Sequence, residues 1–148
     1  MQLKVKRLTP TATLPEYANP GDACFDIRCT TDTSPKILTD HMPVTFDTGL
    51  SFEIPEGWAM MVYSRSGTGF KHSTRLSNCV GVIDSGYRGE LQVQLIRDSS
   101  TAHGLTVNPG DRIAQGMLIP ITPVQFEEVD ELGTSVRGTG GFGSTGVA

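Results

Sequence analysis

Three side chains crowd one turn of this sequence. Residues 78–90 read NCVGVIDSGYRGE: an apolar run of Cys79, Val80, Val82 and Ile83, the turn signal Asp84-Ser85-Gly86, then Tyr87 and Arg88. A turn asks for a glycine and a small polar residue; it does not ask for an acid, an aromatic ring and a guanidinium together. Either the turn serves a ligand, or Asp84 caps its own backbone and Arg88 pairs with Glu90. A second set lies in the final stretch, RGTGGFGSTGVA, where Arg137 and Phe142 stand among five glycines in twelve residues. Those are the residue types that grip a phosphate and a base, but the composition alone reads as a disordered tail. Fixing ten residues costs on the order of 10 to 20 kcal/mol of backbone entropy, while one stacked base returns about 1 to 3. Such a tail is expected to order only on a ligand that supplies phosphate contacts as well.

The elements that must position these groups are short. Seventeen Gly and nine Pro punctuate the 148 residues, and no window carries a sustained helical repeat of apolar positions. The chain is expected to be an all-β domain of the sandwich, barrel or jelly-roll kind. Strands are expected at 3–8, 24–29, 44–46, 50–54, 58–64, 78–83, 88–97, 105–107, 112–121 and 124–129, with a short helix near 66–75. The pair 78–83 and 88–97 reads as a β-hairpin. The globular domain is expected to span 1–132 and a flexible arm 133–148. Twelve Lys and Arg against 16 Asp and Glu leave no basic footprint for duplex nucleic acid, so a polyanion can be held only by a few placed cations. Cys24, Cys29 and Cys79 lack metal spacing and read as reduced core thiols. No apolar run approaches a membrane span, and a soluble, cytoplasmic protein is expected, in the host cell if phage-encoded.

Four further stretches have the same over-specified character: DACFDI from Asp22, SRSG from Ser64, GDRIAQ from Gly110, and the tail. In the order DACFDI, SRSG, GVIDSGYRG, GDRIAQ, RGTGGFGSTG they resemble the five ordered motifs of the trimeric deoxyuridine triphosphate nucleotidohydrolase (dUTPase) family, from about residue 20 to 146. The resemblance implies a dUTPase-like β-barrel or jelly roll that works as a homotrimer. It implies hydrolysis of dUTP to dUMP and pyrophosphate, which lowers dUTP and supplies dUMP for thymidylate synthesis. Asp84 would be the general base for the water that attacks the α-phosphorus. Tyr87 would pack on the deoxyribose and exclude a 2′-hydroxyl, while Asn78 and the backbone of Gly81, Val82 and Ile83 read the uracil edge. Gln92 would touch the nucleotide from the return strand. Arg65, Ser66 and Gly67 would bind the phosphates, with Gln115 adding an amide contact and Arg137 clamping the γ end. Phe142 would stack on the uracil. Mg²⁺ would bridge phosphate oxygens, with Asp26 meeting it through water, and Arg88 would brace the hairpin or a subunit contact. In the family, hairpin, phosphate segments and arm come from three different subunits.

Cys24 stands where the first motif usually has glycine, so Asp26 is expected to sit slightly differently. Residues 30–42, TTDTSPKILTDHM, match no motif and read as a surface loop that could meet a protein partner. A similar fold serves deoxycytidine triphosphate deaminases, which place a glutamate ten positions after the hairpin aspartate. Here that position is Gln94, which cannot act as a base. A dUTPase-like binding or regulatory protein is the other alternative, set against by the presence of Asp84, Arg65, Arg137 and Phe142. His41, His72 and His103 show no metal spacing.

Overall fold

A computed structural model describes residues 1–98 and 104–141. Eleven antiparallel-paired strands and one helix follow in order: β1 Lys4–Arg7, β2 Phe25–Arg28, β3 Lys36–Leu38, β4 Val44–Asp47, β5 Leu50–Glu53, β6 Trp58–Tyr63, α1 Ser66–His72, β7 Thr74–Leu76, β8 Val80–Ile83, β9 Gln92–Arg97, β10 Leu105–Val107 and β11 Arg112–Pro120. They form ladders β2-β11-β6-β8 and β4-β9-β7, with the two-stranded pairs β1-β5 and β10-β3. Alternation drives the packing: in β9, Val93, Leu95 and Arg97 are buried while Gln92 and Gln94 are exposed. The inward faces meet in one core around Ile27, Leu38, Leu50, Ile54, Met60 and Leu95, each at most 2% exposed.

Four expectations are corrected. The hairpin is the first: β8 pairs with β6 and β9 pairs with β4 and β7, so the two arms share no ladder. Second, the helix ends at His72, because Ser73 turns left-handed (φ 49°) and returns its N–H to the Gly69 carbonyl. The buried Thr74 then starts β7. Third, residues 30–42 are not merely a surface loop. Lys36–Leu38 pairs with β10, Leu38 is fully buried, and Asp40 binds the buried Arg97 at 2.7 Å. Fourth, residues 124–129 form no strand. The ladders end at Pro120, and Val124, Phe126, Val129 and Leu132 are exposed, Phe126 at 96%; their apolar pattern finds no cover within the single chain.

Strand β11 carries a bulge that shapes the site. Gln115 opposes Asp26 and Ala114 opposes Ile27, but Arg112 opposes Arg28, so Ile113 is the extra residue. Both Ile113 and Ala114 are buried. Arg112 is thereby brought onto the same face as Asp26, Arg28 and Gln115.

Candidate active site

The splayed arms make the first half of the site. β8 is an end strand of its sheet, so one edge of its backbone carries N–H and C=O groups with no ladder partner. The chain enters it through a turn in which Cys79 is left-handed (φ 63°) and donates its N–H to the Leu76 carbonyl; Cys79 is exposed rather than a core thiol. Between β8 and β9 lies a cavity of about 310 Å³ lined by Asn78, Gly81, Ile83, Gln92 and Gln94 among others. Beside it is one of about 250 Å³ lined by Val82, Ile83, Asp84, Tyr87, Glu90, Leu91 and Gln92. Ile83, Leu91 and Gln92 border both. A closed hairpin would have consumed the backbone groups that this edge leaves available to a flat polar ring.

The Asp84 carbonyl accepts the Tyr87 N–H at 3.1 Å, closing the turn. Its carboxylate is exposed, and among the described residues no hydrogen bond or ion pair engages it. The self-capping alternative is therefore not what the turn does. Arg88 braces it instead, donating to the carbonyls of Ser85 at 2.6 Å and Tyr87 at 2.9 Å. The Tyr87 hydroxyl donates to the Glu90 carbonyl at 2.9 Å. Gln92 donates to Asp47 at 2.7 Å and Gln94 to Thr45 at 3.0 Å, which ties both amides to β4.

The second half is an arginine pair on one carboxylate. Arg65 Nε donates to Asp26 Oδ1 at 2.9 Å and Arg112 Nη1 to Asp26 Oδ2 at 3.0 Å. Asp26 is 8% exposed, so it holds two half-exposed guanidiniums from beneath. Gln115 Nε2 donates to the Ser64 carbonyl at 3.0 Å, and Ser64 Oγ accepts the Leu76 N–H at 2.9 Å. These bonds fix the strand end from which Arg65, Ser66 and Gly67 emerge. Ser66 and Gly67 open α1 and are exposed. Arg112 was not singled out from the sequence; its signal was the Arg in GDRIAQ, but only the bulge shows which way it faces.

Metal coordination finds little protein support. Among the described residues no group of three or more His, Cys, Asp or Glu side chains could hold an ion. Both Asp26 oxygens accept from arginines. The two guanidiniums form a donor set that suits an anionic group such as a phosphate.

The two halves line separate cavities; the Arg65 and Arg112 cavity shares no residue with those beside β8. Arg137 joins neither, since its Nε donates to the Gly140 carbonyl in an exposed turn of the arm. Phe142 and His103 lie outside the described residues.

Comparisons with known proteins agree on what these motifs resemble. A sequence model of the dUTPase family matches residues 11–146. The deoxyuridine 5'-triphosphate nucleotidohydrolase of Paraburkholderia phymatum is 41% identical over 149 residues, covering 99% of each chain. The Staphylococcus bacteriophage 80alpha dUTPase with dUPNHPP superposes with a TM-score of 0.89 at 28% identity, again covering 99% of each chain. A mutant dUTPase from phage phi11 of S. aureus, described with a structural Mg(II) ion, gives 0.76 at 26% identity over 88% of this chain and 98% of that one. The architecture of the present chain is that same jelly roll.

Proposed function

The chain belongs to the dUTPase family, and from that premise we propose that it hydrolyses dUTP to dUMP and pyrophosphate with Asp84 as general base. The observation that carries the reading is the exposed, unengaged Asp84 carboxylate on the rim of a cavity walled by an unpaired strand edge. Uracil presents an acceptor at O4 where cytosine presents an amino donor. Fixed backbone groups of Gly81, Val82 and Ile83, with Asn78, satisfy one and leave buried polar atoms unmatched with the other. Tyr87 packs against the deoxyribose.

Asp84 takes a proton from a water whose oxygen bonds to the α-phosphorus. The bond from that phosphorus to the α,β-bridging oxygen breaks, and pyrophosphate leaves. A carboxylate is a weak base for free water, so most of the acceleration comes from in-line placement and from neutralising phosphate charge. Arg65 and Arg112, aimed by Asp26, supply fixed positive charge, Ser66 and Gly67 add donors, and Gln115 holds the segment. A divalent cation such as Mg²⁺, carried by the triphosphate, would offset part of its charge.

The separation of the two halves supports a site assembled from several copies in a homotrimer. The uncovered apolar positions between Val124 and Leu132 supply surface for such an assembly, and the arm beyond residue 132 brings Arg137 and Phe142 to a neighbour's site.

The test is pyrophosphate release from dUTP, dCTP, dTTP and UTP by the wild type and Asp84→Asn. Release from dUTP alone, lost in Asp84→Asn, is expected; no release from any nucleotide would leave a binding role.

A further inference from the structure

Tyr87 rests on a position with no side chain. A Cβ built on Gly89 would fall against the Tyr87 hydroxyl, at 2.6 Å from Cζ and 3.0 Å from Cε2. Gly89 is not in the left-handed region, so the backbone conformation does not call for glycine there; the ring does. The ring is also tethered, its hydroxyl donating to the Glu90 carbonyl at 2.9 Å.

The segment under the ring is anchored to the β4–β5 turn and the first residues of β5. Ser51 Oγ donates to the Arg88 carbonyl at 2.7 Å, and the Gly49 N–H donates to Glu90 Oε1 at 2.7 Å. Leu91 gives its N–H to the Leu50 carbonyl at 2.8 Å, and its own carbonyl accepts from Thr48 Oγ1 at 2.6 Å. With the backbone held on both sides of residue 89, an added methyl must displace the ring, which is 46% exposed and can swing outward only by giving up its hydroxyl bond to the Glu90 carbonyl.

We propose that Gly89 is a positioning residue for sugar selectivity: its empty side-chain space seats the Tyr87 ring where it excludes a 2′-hydroxyl. The inference rests on Tyr87 being the sugar-facing ring. A displaced, untethered ring no longer closes the space at the 2′ carbon, so a ribonucleotide gains access while dUTP loses packing.

The experiment compares kcat/KM for dUTP and UTP in the wild type, Gly89→Ala, Tyr87→Ala and the double variant. Gly89→Ala should lower the preference for dUTP roughly tenfold or more, and the double variant should be no less selective than Tyr87→Ala, because the glycine acts only through the ring. Native preference in Gly89→Ala with preference lost in Tyr87→Ala would overturn the seat and leave the sugar role of Tyr87 standing. Native preference in Tyr87→Ala would instead overturn that role itself. Additive losses in the double variant would mean that Gly89 acts elsewhere and would also overturn the proposal. Should Gly89→Ala fail to fold, the double variant carries the test: recovery of a folded protein on removal of the ring supports the seat, and failure to fold without the ring overturns it.

Discussion

Truncating Leu38 to alanine tests whether residues 30–42 belong to the fold. Leu38 is fully buried, while its strand neighbour Ile37 points outward at 61% exposure. Burying a leucine side chain stabilises by about 1.5 to 3 kcal/mol, and the cavity left behind raises the usual cost of Leu→Ala to about 2 to 5 kcal/mol. Strand β3 has three residues and a single partner, β10, so the backbone can collapse partly into the gap. That favours the lower half of the range, about 2 to 3 kcal/mol. With a urea slope of about 1 to 3 kcal/mol per molar, the midpoint should fall by about 0.7 to 3 M. The assay is urea unfolding at one fixed protein concentration, since the proposed assembly would make apparent stability concentration-dependent. Ile37→Ala should shift the curve by under about 0.5 kcal/mol. Equal costs for the two variants, or a loss below about 1 kcal/mol for Leu38→Ala, would refute the claim that this segment is built into the core.

Asp26→Asn leaves two guanidiniums facing each other across a neutral amide. Because both arginines stay partly solvated, stability should fall by only about 1 to 2 kcal/mol, and the Mg²⁺ concentration for half-maximal turnover should not move. A changed Mg²⁺ requirement at native stability would support the water-mediated metal role for Asp26. Thiol labelling under native conditions should show one fast equivalent, from exposed Cys79, which Cys79→Ser removes. Burial pushes both other thiols up, with the charge of Asp26 adding to the effect at Cys24; they should react at full rate only after unfolding, and three fast native equivalents would contradict this.

Much of the candidate site was legible because its residues are wrong for their bland roles. Asp84, Tyr87 and Arg88 exceed what a turn needs, and Arg65 and Gln115 sit in stretches with the same excess. Strands such as 44–46, 50–54 and 105–107 were legible from alternation and turn residues. What escaped is long-range. Two apolar runs flanking a turn look the same whether they pair with each other or, as β8 and β9 do, with strands far away. Leu38 is one buried residue in a polar stretch, too short a signal for periodicity. The run 124–129 has a strand's pattern but no partner in its own chain, so local sequence could not say that it stays unpaired there.

The β11 bulge also bears on which ladder the chain can form at all. Were the pairing regular through Ile113, strict alternation would turn Arg112 toward the core beside Ile27 and expose Ile113 in its place. An unpaired guanidinium cannot be buried there without losing several kcal/mol of hydration, so the regular register is closed off by charge alone. Arg112 thus discriminates against a competing pairing while the chain folds, before any nucleotide is present. On the proposed function the same guanidinium serves folding specificity and phosphate binding, and a neutral apolar residue at 112 would weaken both at once.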